Sequence, residues 1–137
     1  LHVRMARHCE NGQAVAEFLA SHPKIAYVNY CGLPGDKYHA LAEKYLPNGS
    51  CGVVSFGVKG GREAAANFMA HLKVAAIETH VADARTCCLH PASSTHRQMN
   101  DEQLVAAGVE PDLVRMSCGL EDKRDLIADI EQALAQI

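Results

Sequence analysis

Apolar positions change their period several times along the chain, and each change marks an element. Ala14, Val15, Phe18 and Leu19 recur at helical spacing behind Asn11, a residue type suited to cap a helix, and His22-Pro23 stops the run. Lys24 to Tyr30 alternates apolar and polar positions as a half-buried strand does, and Cys31-Gly32-Leu33-Pro34-Gly35 supplies the turn that ends it. Asp36 is placed to cap a second helix with Tyr38, Leu41, Ala42 and Tyr45 on one side, closed by Pro47-Asn48-Gly49. Cys51 to Val58 is apolar, rich in β-branched residues and too short for a helix before Gly60-Gly61, which predicts an interior strand.

A third helix is expected from about Arg62 to Leu72. Val74 to Ile77 and Arg85 to Leu89 read as short strands separated by a polar crossing through His80 and Asp83. Pro91 to Met99 has no period and is a loop; Asn100 or Asp101 opens a short helix that Gly108 ends. Leu113 to Cys118 is the last strand, and Leu126, Ile127, Ile130, Ala133 and Leu134 make the chain from Glu121 onward an amphipathic helix. Strands separated by helices suit either a doubly wound sheet or an α+β layer. Short crossovers, the lack of G-x-G-x-x-G after a strand, and two successive strands with no helix between them favour the second. The expectation is an α+β two-layer sandwich, a mainly antiparallel sheet with helices on one face, in a single domain over residues 1–137.

Composition narrows the function classes. The 137 residues are 48% apolar and 21% charged, so a packed core is expected and disorder is not. A net charge of −3, 5% aromatic residues and no Trp leave neither a basic stripe nor a stacking platform, which disfavours nucleic acid as a partner. No apolar run is long enough for a membrane span or a signal peptide, and a cytoplasmic protein is expected. The chain opens without an initiator Met and in helical pattern, as a piece of a longer chain would. Its six cysteines are scattered with no C-x-x-C, so reduced buried thiols are expected rather than disulfides or zinc. Cys87 and Cys88 are adjacent in a strand and should point to opposite faces; Arg85 near Cys87 is the only hint of an activated thiol.

Three segments carry candidate chemistry. Gly60-Gly61, between a strand and a helix, is either a tight turn or an anion cradle, and without a following Lys-Ser/Thr the turn is favoured. His90-Pro91-Ala92-Ser93-Ser94-Thr95-His96-Arg97-Gln98 concentrates two His, three hydroxyls and an Arg, which suits either a His–Ser pairing or a loop that satisfies its own backbone. From the residues alone the second is favoured. Arg115 sits inside the otherwise apolar Leu113-Val114-Arg115-Met116-Ser117-Cys118-Gly119. A guanidinium cannot shed its charge, so Arg115 must reach solvent, pair with an acid on a neighbouring strand, or grip a carboxylate ligand.

Taken in order, Ser55-Phe56-Gly57-Val58-Lys59-Gly60-Gly61, Ala82-Asp83-Ala84-Arg85-Thr86, the His90 to Gln98 segment, and Ala107-Gly108-Val109 with Pro111 to Glu121 resemble the C-terminal domain of the pyridoxal-phosphate enzymes of cysteine and methionine metabolism. Within that family the chain is most similar to the O-acetylhomoserine sulfhydrylase branch. The resemblance implies the C-terminal domain of a fold-type I pyridoxal-phosphate enzyme, with a small amino-acid substrate and an intact homo-oligomer that is a tetramer. It implies replacement of the acetoxy group of O-acetylhomoserine by sulfide or a thiol, giving homocysteine or methionine. In such enzymes the Schiff-base lysine lies in a Ser-x-Thr-Lys setting in a large N-terminal domain. None of Lys24, Lys37, Lys44, Lys59, Lys73 and Lys123 has that setting, so the isolated chain is expected to be inert and to hold no cofactor or catalytic residue of its own.

By the same resemblance, Arg115 matches the arginine that grips the substrate α-carboxylate, and His80-Val81-Ala82 matches a small polar-apolar-Gly turn whose backbone helps bind it. Ser94, Thr95 and His96 match the hydroxyl-rich loop at the active-site mouth. Ala82 stands where the family has Gly and His80 where it has a small polar residue; Cys31 replaces Pro, Cys118 replaces Val and Cys88 an aliphatic. The alternative from another class is a stand-alone small-molecule or metal-binding domain using His90, His96 and the cysteines.

Overall fold

Helix α1 (His2–Ser21) begins ten residues before the point at which Asn11 would have capped it, in the computed structural model that describes residues 1–137. Asn11 is buried within the helix, and its amide donates to the carbonyls of Gly119 (3.0 Å) and Glu121 (2.8 Å). Its capping chemistry is spent on a distant turn instead of its own helix. After β1 (Ile25–Asn29), the Asp36 carboxylate accepts from the backbone N–H of Tyr30 (3.1 Å) and Tyr38 (2.8 Å). It knits the turn, and helix α2 (His39–Tyr45) starts later than predicted without a side-chain cap.

The remaining elements are β2 (Val53–Val58), α3 (Gly61–Ala70), β3 (Ala76–Ile77), β4 (Cys87–Leu89), a 3-10 turn at Pro91–Ser93, α4 (Asp101–Ala106), β5 (Leu113–Ser117) and α5 (Lys123–Leu134). Two helix starts follow their local chemistry: Asn100 and Gln103 form a reciprocal capping box for α4, and the Asp122 carboxylate caps α5. The Gly60-Gly61 turn is used for its backbone freedom, with φ of 109° and 73°.

One sheet has the order β1-β2-β5-β4-β3. The β1–β2, β2–β5 and β4–β5 pairs are antiparallel; β3–β4 is parallel. Val54, Phe56 and Val58 of β2, Val114 and Met116 of β5 and Cys88 of β4 turn to the face covered by α1, α3 and α5. They meet Val15, Leu19, Phe68, Leu126, Ile130 and Leu134 there, and Phe56 and Phe68 pack edge-to-face with centroids 5.8 Å apart. The α+β sandwich with helices on one face is therefore the architecture of this chain.

The short separation of β3 and β4 pointed toward antiparallel pairing, yet they run parallel. A parallel partner must start at the same end, so residues 78–86 travel back along the sheet before β4 begins. The helix-covered face is filled, and the return crosses the open one. Gly119 makes room at the far end of this path: a Cβ there would meet the Ala84 carbonyl and lie 2.5 Å from Thr86 N.

Candidate functional site

Strand alternation puts Arg115 and Ser117 on the open face of β5, between Ser55 of β2 and Leu89 of β4 in register with Arg115. Both side chains reach the returning segment. Arg115 Nη2 donates to the Thr79 carbonyl at 2.7 Å, and Ser117 Oγ accepts from Ala82 N–H at 2.9 Å. From the other side, Arg4 Nη2 of α1 donates to the Ala82 carbonyl at 2.8 Å. Arg4, Thr79, His80, Val81, Ala82 and Asp83 line an open groove of about 620 Å3. The residues named from sequence as Arg115 and His80-Val81-Ala82, separated by more than thirty positions, are thus brought together.

Hydrogen-bond donors without partners gather where Arg115 meets the 79–84 segment. No acidic side chain forms an ion pair with Arg115, so the expected alternative of a neighbouring Glu or Asp is not realised. Its one protein hydrogen bond leaves most of its donors free. Along Thr79 to Ala84 only the Ala82 amide has a partner; those of Thr79, His80, Val81, Asp83 and Ala84 make no hydrogen bond within the chain. Ala82 adopts φ 58°, a left-handed conformation that Gly takes more readily.

His80 is exposed, and its Nδ1 lies 2.9 Å from Glu78 Oε2, while Arg85 holds Glu78 Oε1 at 2.7 Å. Arg85 therefore does not activate Cys87: burial, with the Glu78 and Asp83 charges, raises that thiol's pKa. Glu78, Asp83 and Cys87 are the one group of three ligand-type side chains whose atoms converge within 4.8 Å, and the Arg85 guanidinium already occupies Glu78. Cys118 is pushed up to about 12 by burial, and all six thiols are free.

The hydroxyl-rich loop is organised around His90. His90 Nε2 donates to the Pro111 carbonyl (2.8 Å), which leaves Nδ1 to accept from Ser93 Oγ (2.8 Å). Burial lowers the His90 pKa, so the ring is neutral and structural. Ser94 Oγ donates to the His90 carbonyl (2.6 Å), while Thr95 pairs with His96 (2.9 Å) at the surface. No hydrogen bond joins Ser94 or Thr95 to Arg115; the loop approaches it only through Leu89, the strand partner of Arg115. His90, His96 and the cysteines named for a metal site do not converge.

With this geometry in view, comparison with known proteins decides the family. The Cys/Met metabolism PLP-dependent enzyme model matches residues 1–135. The chain belongs to that family. Relatives include the O-acetyl-L-homoserine sulfhydrylase of Leptospira meyeri, 45% identical over the whole chain and 31% of the relative. The homocysteine synthase of Schizosaccharomyces pombe is 45% identical over 98% of the chain and 31% of the relative. An L-methionine gamma-lyase of Fusobacterium nucleatum subsp. polymorphum is 42% identical over 98% and 34%. A crystal structure of an O-acetylhomoserine (thiol)-lyase from Campylobacter jejuni, carrying a pyridoxyl-lysine monophosphate, superposes with a TM-score of 0.89 at 38% identity, covering 98% of this chain and 32% of that one. The chain spans about a third of the length of these relatives.

Enzymes of this Cys/Met metabolism family depend on pyridoxal phosphate, and each lysine of this chain is placed by contacts of its own. Lys24 Nζ donates to the Leu134 and Ile137 carbonyls, Lys59 to the Pro23 carbonyl and Lys123 to Glu10. Lys37 and Lys44 lie over the Tyr38 and Tyr45 rings, and Lys73 lies by α5. None of these contacts brings a lysine to Arg115 or to the 79–82 turn. Pattern reasoning missed Arg4, Thr79 and Ser117; the i, i+2 spacing of Ser117 from Arg115 is the one local signal that could have shown a shared face.

Proposed function

We propose that this chain is the C-terminal, substrate-orienting domain of a pyridoxal-phosphate-dependent O-acetylhomoserine sulfhydrylase, which exchanges the acetoxy group of O-acetylhomoserine for sulfide or a thiol. The observation that carries the reading is Arg115: a permanent cation on a strand, with no acidic partner in the chain, beside a turn of unpartnered amides. Arg115 grips the substrate α-carboxylate, and the 79–81 amides receive its second oxygen. This fixes the amino acid's orientation and is a positioning role, with no proton transferred by these residues. Ser94 and Thr95, in the loop continuing from β4, line the entrance. The sulfhydrylase reading over a γ-lyase rests on the similarity to the Leptospira and Schizosaccharomyces relatives, and the chain by itself is inert because it lacks a suitably placed lysine.

Steady-state kinetics of Arg115→Ala in the complete enzyme test this. Loss of a charge-assisted contact worth ~3 kcal/mol should lower kcat/KM for O-acetylhomoserine by about two orders of magnitude. Unchanged kcat/KM for O-acetylhomoserine rejects the assignment of Arg115.

A further inference from the structure

We infer that Ser117 and Arg4 are positioning residues that clamp the 79–82 turn in the backbone shape that presents its amides to the substrate carboxylate. This rests on the carboxylate reading of Arg115 and extends it to residues that touch no substrate.

The starting observation is Ala82. It is the one non-glycine residue of the chain with a positive φ, at 58°. A Cβ disfavours that region, and nothing local to Ala promotes it. Such a conformation persists where its surroundings over-determine it. Here two separate elements do so. The hydroxyl of Ser117, a residue only 2% exposed and carried by β5, accepts from Ala82 N–H at 2.9 Å. The Arg4 guanidinium, from the first turn of α1, donates to the Ala82 carbonyl at 2.8 Å. Both backbone polar groups of this one residue are therefore held, one by each element, and Arg115 holds the Thr79 carbonyl three residues earlier.

The clamp leaves the useful groups free. Neither contact consumes the Thr79, His80 or Val81 amide, and these residues, whose amides have no partner, line the groove. A free turn with Ala at this position would relax toward negative φ and re-aim those amides. Ser117 is two residues from Arg115 on the same strand face, so one strand supplies the cation and also fixes the turn beside it. Arg4 adds a constraint from α1, a helix whose other side is built into the core.

A role of this kind acts on binding more than on turnover, because the carboxylate is held alike before and during reaction. In the complete enzyme, Ser117→Ala and Arg4→Ala are each expected to raise KM for O-acetyl-L-homoserine about three- to tenfold, the effect of one hydrogen bond, with kcat within about twofold. Adding Ala82→Gly to either variant should recover part of the KM, since Gly populates positive φ without a clamp. Arg4 is exposed, so its variant folds even if the buried Ser117→Ala does not. If Arg115→Ala raises KM while both clamp variants leave it unchanged, the clamp is wrong and the carboxylate site stands. A KM increase that Ala82→Gly fails to reverse also overturns the clamp. If Arg115→Ala itself leaves KM unmoved, the carboxylate reading falls first.

Discussion

His90 is 1% exposed, donates to the Pro111 carbonyl and accepts from Ser93, and burial lowers its pKa. The same residue type beside the same hydroxyls is what a nucleophilic pair needs, and burial is what turns it into a strut between the loop and the approach to β5. Its titration has a consequence for stability. The folded pKa lies below the unfolded value of about 6.5, so the unfolded chain binds the proton more readily on acidification. The stabilisation is complete above that value and is lost as pH falls through it toward the folded pKa. Urea midpoints should therefore drop between pH 7 and pH 5. A His90→Gln variant, less stable at both, should lose less between them; an equal loss would assign the pH dependence to other groups. Arg115 is the counterpart: it cannot titrate away, and its lack of an acidic partner is the residue-scale fact that points to a ligand.

At the scale of elements, the helices keep the signals written into their ends. Asn100 accepts from Gln103 N–H at 2.9 Å and the Gln103 side chain accepts from Asn100 N–H at 3.0 Å, while Gly108, at φ 78°, closes the segment. With six residues, α4 has little core contact beyond Leu104, so its cap matters. Asn100→Ala should cost about 1 kcal/mol, read as a lower Tm of the whole chain or as faster amide exchange confined to residues 101–106. Neither change would mean that the Arg62 bonds to Asp101 and to the Ala92 and Met99 carbonyls hold the element without the cap. Elsewhere distant groups replaced the expected ends. Asn11 bonds a turn more than a hundred residues away, and the buried Asp129 accepts from the amides of Lys73, Val74 and Ala75 just before β3. That carboxylate receives the chain as it leaves α3 and sets the approach of the strand from which the groove segment departs.

For the whole molecule, one layer of helices leaves the other face of the sheet open, with half-buried Val53 and Leu113 and exposed Val81 beside Arg115. Tyr45 and Ile77 add apolar surface, 65% and 60% exposed. Surfaces of this kind find partners. The 137-residue chain is expected to self-associate in reducing buffer, and sedimentation equilibrium showing a single 14.8 kDa species at high concentration would reject this. Much of the architecture was legible beforehand because it is written locally. The periods of Val15 to Leu19, Val53 to Val58 and Leu126 to Leu134 place α1, β2 and α5, and Gly, Pro, Asn and Asp mark several of the ends. A cation inside an apolar strand singled out Arg115 by the same local logic. What only the tertiary structure decided is which elements meet. The parallel pairing of β3 with β4 sends residues 78–86 across the open face, and nothing in a two-residue strand specifies its partner. Arg4 and Ser117 converge on Ala82 from 78 and 35 positions away, and they hold a conformation for which Ala has no local preference. Periodicity and capping are properties of neighbours along the chain; the groove beside Arg115 and Ala82 is a property of neighbours in space.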